Sequence, residues 1–341
     1  PICTLVEAAL KNNRDLRVAV LNVEQTRALY GVQRADRWPS VNLAVTGVRE
    51  PGANGSISST YTAGVAVSAF EIDLFGRVKN LSEAALARYF ASDEGRRAAQ
   101  STLVAAVASA DLAVRADDEL LQITQRTLDS REEQLRLSRV RFDAGAAAEP
   151  ELRGVESLVA AARASLQALK RQRSQDLNAL VLLLGQPLPE GLPSGSLADV
   201  RYADVPPGLP SEVLLQRPDV RQAEQSLLAA NANIGAARAA FFPRITLTGS
   251  YGFASNQLSS LFDNTAWTFT PQLVQPLFEA GRNQANLESA RAARDIAVAQ
   301  YERAIQTAFR EVADALAGQI GRHTSELQSR GDISYAVFCL K

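Results

Sequence analysis

The residues with chemistry to offer are few, and their spacing offers little. The chain has a single histidine, His323, and two cysteines, Cys3 and Cys339, near opposite ends of 341 residues. Neither cysteine sits in a CxxC, and neither has His or Cys neighbours to complete a zinc site, so no metal or cofactor is expected. The acid pairs Asp117-Asp118 and Glu132-Glu133 are adjacent on a predicted helix. Consecutive helical side chains diverge, so both pairs read as a solvated face and not as general acid and base. There is no GxSxG, no P-loop and no GxGxxG in a strand context. A non-enzymatic role is the expectation.

The charge balance narrows the partners. Lys and Arg total 36 against 37 Asp and Glu, a net charge of −1. Such a chain has no bulk attraction for nucleic acid, whose binding rests on neutralising phosphates. Membrane contact would have to come from apolar surface and not from a polybasic patch. No run approaches the 18 or so apolar residues of a transmembrane helix, so any spanning element must be a strand. The opening residues, Pro1-Ile2-Cys3-Thr4, read as a start in mid-protein.

An internal repeat organises the elements. Asp15-Leu16-Arg17 matches Asp219-Val220-Arg221, and Trp38-Pro39-Ser40-Val41-Asn42-Leu43 matches Phe242-Pro243-Arg244-Ile245-Thr246-Leu247, each 204 positions on. Leu74-Phe75-Gly76-Arg77 then matches Leu277-Phe278-Glu279-Ala280-Gly281-Arg282, with two residues inserted. Register kept over such a span marks a duplication. Each copy reads helix, strand, loop, strand, long helix. Pro39 and Pro243 end the first helices and push their neighbours into extended conformation.

The strands alternate. Val41, Leu43 and Val45 share a face opposite Asn42 and Thr46, and Val65 and Val67 oppose Thr62 and Ser68. Ile245, Leu247, Tyr251 and Phe253 alternate with Thr246, Thr248 and Ser250. Trp267, Phe269 and Leu273 alternate with Thr268, Thr270 and Gln272. This is the pattern of half-buried strands. A soluble antiparallel sheet packed on a helix satisfies it equally, but four strands alone leave two open edges. Turn residues fill Glu50 to Ser59.

From about Arg77 to Phe142 there is no proline and a single glycine, Gly95, which allows a helix about 100 Å long. Val107, Val114, Leu121, Leu128, Leu135 and Phe142 recur every seventh residue, a coiled-coil period. The alternate seam positions Ala110, Asp117, Thr124, Arg131 and Ser138 are small or polar, so the apolar stripe is narrow. Asp143-Ala144-Gly145 turns the chain, Pro150 suits a first helical position, and the returning helix from Glu151 stops at Gly185 and Pro187.

These residues resemble the TolC-like outer-membrane factors of tripartite efflux systems of the RND type, in particular the OprM-type lipoprotein branch. The likeness rests on Phe70-Glu71-Ile72-Asp73-Leu74-Phe75-Gly76-Arg77, on Asn178 to Gly185, on Arg217-Pro218-Asp219 through to Phe242-Pro243, and on Trp267 to Arg282. The resemblance implies a mixed, mainly α fold. Long helical hairpins form an α-barrel in the periplasm, joined to a transmembrane β-barrel of twelve strands closed by a homotrimer. It implies a passive exit duct in the outer membrane of a Gram-negative bacterium, serving multidrug efflux with a periplasmic adaptor protein and an inner-membrane transporter. Val41, Leu43, Val45, Ile245, Leu247, Trp267 and Phe269 would then face outer-membrane lipid, with Tyr61, Tyr251 and Trp267 at aromatic girdles. Pro39, Gly76, Pro243 and Gly281 would be the hinges between barrel and tunnel, a role hard to separate from ordinary punctuation. Arg141, Phe142 and Gly145 would form the adaptor-contact tip, where a plain hairpin turn is the rival account. Ala148 and Pro150 depart from the family there.

The boundaries that follow are a first repeat over 1–190, a linker over 191–212, and a truncated second repeat over 213–318. A tail over 319–341 resembles translated adapter sequence and is set aside. The second repeat lacks the returning helix on which family members carry their gate carboxylates. The competing function is a soluble coiled-coil scaffold, which accounts for residues 77 to 184 and leaves the duplicated strands unexplained.

Overall fold

The computed structural model describes residues 2–51, 56–188, 197 and 211–338, and the side chains of these except 211–213 and 318–338. The linker over 191–212 and the turn residues Gly52, Asn54 and Gly55 thus lie largely outside the described residues. So does the environment of His323 and Cys339. The chain divides into two compact units, residues 1–21 with 96–209 and residues 22–95 with 210–341.

The first unit is helical. Helix α1 (Ile2–Asn12) and the start of α2 (Arg14–Ala35) pack on α3 (Arg77–Asp143) and α4 (Glu149–Leu184) through Leu5, Ala9, Leu16, Leu103, Val107, Leu180 and Leu184. Asn13 fixes the corner between α1 and α2. Its Oδ1 accepts from the Leu16 N–H at 2.8 Å, capping α2, and its Nδ2 donates to the Leu183 carbonyl at 2.9 Å. Gly185 ends α4 at φ 67, and a Cβ there would lie 2.4 Å from the Asn12 carbonyl oxygen. Only glycine fits both demands. Further along the hairpin, Leu128, Val159 and Leu166 form a second buried cluster, flanked by Leu121, Leu135 and Ala162. The heptad therefore positions α3 against α4 as its period requires.

Two readings of this hairpin are corrected. Helix α4 begins at Glu149, so Pro150 occupies its second position; an N–H there has no intrahelical partner either, and the proline is equally tolerated. Asp117 is not on a solvated face. It is 7% exposed, because it holds an alternate seam position of the heptad and so turns toward α4. Its Oδ2 has no hydrogen-bond donor. Burial pushes its carboxyl above the usual range, and the facing Asp176 pushes it further. Arg173, whose charge opposes this shift, bonds Asp118 at 2.5 Å instead.

The second unit holds one antiparallel sheet, in the order β1 (Val41–Pro51), β2 (Ile57–Ile72), β3 (Arg244–Ser255), β4 (Thr265–Val274). Both copies of the repeat supply a hairpin to it. Helices α5 (Pro218–Ala239) and α6 (Arg282–Phe338) pack together here, and α6 continues past residue 318. Arg217 secures the start of α5, reaching Asp219 at 2.8 Å and Glu311 of α6 at 2.6 Å. The hydrogen bond from Arg217 holds the Asp219 carboxyl below its usual range. Among the described residues no helix is long and apolar enough to cross a membrane.

Candidate functional site

The middle of the sheet sorts its side chains by face. Register places Val41, Val67 and Gly249 in one row, and Leu43, Val65, Tyr251 and Trp267 in the next. Val45, Ala63 and Phe253 make a third row, and Ile72, Ile245 and Leu273 another nearer the helices. Paired residues project to the same side, so all of these share one face. The opposite face carries Asn42, Ser250 and Thr268 in one row, and Thr46 with Thr62 in another. Hydroxyls bridge strands there: Thr46 bonds Thr62, and Ser250 bonds Thr268 at 2.7 Å.

Keeping β2 sorted takes a bulge. Its apolar positions run Val65, Val67, then Phe70 and Ile72, an odd to even slip that would turn the second pair inward. The register shifts between Val67 and Phe70, and Ala69 adopts φ 47. One extra residue restores Phe70 opposite Leu247 and Ile72 opposite Ile245. The slip is visible in the sequence and was the available signal for this bulge.

The apolar face is bare. Leu43 is 80% exposed, Trp267 72%, Val45 71% and Phe269 64%. A contiguous surface of this kind marks contact with a membrane or a partner. Among the described residues β1 and β4 each pair on one side only, leaving two unpaired edges. On the polar face the row Ala44, Gly64, Gly252, Ala266 is nearly free of side chains. A Cβ on Gly64 would lie 2.4 Å from the Tyr251 carbonyl oxygen, and one on Gly252 would lie 2.2 Å from that of Ala63. The two strands approach too closely here for any larger residue.

Where sheet meets helix, the two copies share a plan. Trp38 N–H bonds the Ala35 carbonyl at 2.9 Å and Phe242 N–H bonds that of Ala239 at 3.1 Å, one position before Pro39 and Pro243. Gly76 at φ 77 and Gly281 at φ 85 open α3 and α6, their carbonyls accepting from Asn80 and Ala285, both at 2.9 Å. The four residues expected as hinges stand at these helix ends, and what surrounds the first junction was not anticipated. Glu71, with its side chain 10% exposed, receives Arg77 in a two-pronged contact at 2.7 Å and Arg244 at 2.7 Å. The triad joins the end of β2 to the starts of α3 and β3. Phe75 stacks on Phe242, centroids 4.8 Å apart and planes 10° from parallel. Both residues stand in the motifs named above; only the fold pairs them.

The turn between α3 and α4 belongs to the first unit. Gly145 at φ 70 donates to the Phe142 carbonyl at 2.9 Å, and Ala146 donates to that of Arg141 at 2.8 Å. These two bonds make a Schellman cap, which accounts for the glycine. Arg141 lies 3.6 Å from Glu151 and is exposed, as is Phe142. Among the described residues no cluster of His, Cys, Asp and Glu is arranged to hold a metal, and Cys3 is an exposed free thiol.

Comparison with known proteins bears on this geometry. Residues 5–186 and 209–321 match the family described as outer membrane efflux protein. The chain is 46% identical over 339 residues to the toluene efflux pump outer membrane protein TtgI of Pseudomonas putida, covering 96% of this chain and 72% of that protein. It is 48% identical over 327 residues to the outer membrane protein OprJ of Pseudomonas aeruginosa, covering 92% and 68%. The structure of a membrane protein from Pseudomonas aeruginosa superposes with a TM-score of 0.87 at 47% identity, over 93% of this chain and 76% of that one. The open state of the Neisseria gonorrhoeae MtrE outer membrane channel superposes at 0.85 with 41% identity, over 93% and 72%.

Proposed function

The chain belongs to the outer membrane efflux protein family, and from that premise we propose how its parts serve an exit duct. It is an outer-membrane channel of a tripartite efflux pump, a passive conduit from periplasm to exterior. Three copies close their four-stranded sheets into one barrel, which removes the free edges of β1 and β4. The observation that carries this reading is the bare apolar face itself. Val41, Leu43, Val45, Ile245, Leu247, Trp267 and Phe269 lie on one side of the sheet, and hydroxyls and amides lie on the other. Lipid on one side and water on the other satisfy both. A soluble coiled-coil scaffold would leave that face in water, where it costs about 25 cal/mol for each Å² exposed.

The remaining roles follow from position. Tyr61, Tyr251 and Trp267 serve as interfacial aromatics. Pro39, Gly76, Pro243 and Gly281 aim helix into strand and back. Arg141, Phe142 and Gly145 present a cation and an aromatic ring on a rigid turn to the periplasmic adaptor, which links the duct to the inner-membrane transporter. No catalytic step enters the proposal, and transport draws its energy from the partner pump. The repeat and linker limits given above describe the organisation of this duct.

Expression in a Gram-negative host tests the reading directly. The protein should float with outer-membrane vesicles, extract in detergent as a trimer, and restore drug resistance to a strain lacking its outer-membrane factor. Recovery as a water-soluble monomer would overturn it. Arg141→Ala with Phe142→Ala should leave the trimer intact while weakening cross-linking to the adaptor.

A further inference from the structure

The two copies of the repeat make the same helix–strand junction, yet only one junction is complete within the chain. At the first, Phe75 of the segment between β2 and α3 stacks on Phe242, which precedes β3. The repeat assigns each ring a counterpart. Phe75 corresponds to Phe278, between β4 and α6, and Phe242 corresponds to Trp38, which precedes β1. Neither counterpart has a ring partner among the described residues: Phe278 is 88% exposed and Trp38 is 74% exposed. The ends of the flanking helices nonetheless match at the two junctions, although Glu279 and Ala280 are inserted between Phe278 and Gly281. The Trp38 and Phe242 N–H groups make the same bond to the residue three back, and Gly76 and Gly281 share positive φ and the same bond from the residue four on.

We infer that Phe278 of one protomer stacks on Trp38 of the next, repeating between copies the contact that Phe75 and Phe242 make within one. The occupant of this exposed surface is thus a second copy of the chain, and the inference rests on the trimeric reading above. Its logic is the order of the sheet. Phe75 follows β2 and Phe242 precedes β3, its neighbour. Phe278 follows β4 and Trp38 precedes β1, the two free edges. Pairing those edges across a subunit boundary brings together the segments that carry the two rings.

A second pair of counterparts points the same way. In α5, Gly235 lies against Asn80 of α3, so closely that a Cβ would fall 2.5 Å from the amide. Its counterpart Gly31 in α2 has open space around it. The neighbouring protomer's α6, at Ala285, corresponds to Asn80 and fills that space. The two junctions also differ in charge. Arg244, which bonds Glu71, corresponds to Ser40. The contact between copies therefore lacks that ion pair and depends more heavily on its aromatic stack.

Cysteine pairs test the contact in the trimer. In a background carrying Cys3→Ser and Cys339→Ser, Trp38→Cys with Phe278→Cys should join chains covalently on treatment with a short thiol cross-linker, up to a three-chain species on a denaturing gel. Phe75→Cys with Phe242→Cys should react within one chain under the same treatment and so calibrates it. A trimer that forms, in which the calibrating pair reacts and the first pair does not, overturns the stack and leaves the duct reading standing. Absence of any trimer from the unsubstituted protein overturns both. A second readout needs no cysteines. With Trp267→Phe leaving Trp38 as the sole indole, Phe278→Ala should shift trimer emission to the red; emission that does not move also overturns the stack.

Discussion

The helical hairpin and the sheet use the same apolar residues to opposite ends. Val107 in α3 is fully buried and Val159 in α4 is 2% exposed, whereas Leu43 and Val45 in β1 stand in the open. The hairpin repeats its apolar positions every seventh residue and folds back on itself, so a seam forms and closes. The sheet repeats every second residue and has no second layer within the unit to close against. The comparison shows that an outward apolar face can be as orderly as a core, and here its order is kept by a bulge. It also says where each region should fail. The sheet should fail when its outward face gains charge, the hairpin when its seam is altered.

The largest effects belong to the apolar face. Leu43→Arg or Phe269→Arg puts a charge on the lipid face, which costs about 2–4 kcal/mol at the bilayer midplane and less toward the interfaces. Refolding into lipid vesicles under denaturant should show it, and the folded species should fall accordingly. Thr46→Arg, on the polar face of the same strand, should cost far less. Equal losses at Leu43 and Thr46 would mean that the two faces do not meet different solvents.

Next come the glycines that let β2 and β3 approach. Gly64→Val or Gly252→Val forces a side chain into backbone, since even a Cβ would lie at 2.4 and 2.2 Å. Overpacking of this kind costs about 1–3 kcal/mol. The trimer should melt lower, and Gly154→Val on an open helix surface should not reproduce the loss.

How much of this is legible in the residues follows from the range of each signal. Strand faces, helix periods and helix ends are local patterns, and alternation alone puts Val41, Leu43 and Phe269 on one face. The repeat makes the two junctions comparable from sequence matches such as Trp38-Pro39 with Phe242-Pro243. The Glu71, Arg77 and Arg244 triad was not legible, because Arg244 lies far from Glu71 in sequence and only strand order brings them together. Asp117 misled for another reason. A carboxylate beside Asp118 reads as solvated, while its place in the heptad reads as seam, and the heptad prevails.

Asp117 therefore gives the prediction that sharpens the hairpin side of the comparison. Its folded pKa is raised, so the sign is that of a group preferring to be protonated in the native state. Its favourable contribution is complete below the unfolded carboxyl value near 3.8 and is lost as pH rises through the raised native value. At pH 7 Asp117→Asn should stabilise the hairpin by about 1 kcal/mol, since the amide can donate to Asp176 where the carboxylate cannot. The gain should fade as pH falls through the raised native value and be gone below about 4. A loss of stability at neutral pH would show that the buried carboxylate has a donor.

The smallest effect should come from the hairpin's outer surface. Arg163 of α4 reaches Glu132 of α3 at 2.6 Å, a well-formed contact between side chains 63% and 43% exposed. Water screens both groups, and holding two long side chains in one arrangement costs entropy. Arg163→Ala should change stability by less than about 1 kcal/mol, and high salt should reduce even that. Denaturant midpoints at low and high ionic strength measure it. If removing this pair cost as much as Leu43→Arg, the hairpin would be held by its surface and not by its seam, and the contrast with the sheet would fail from the other side.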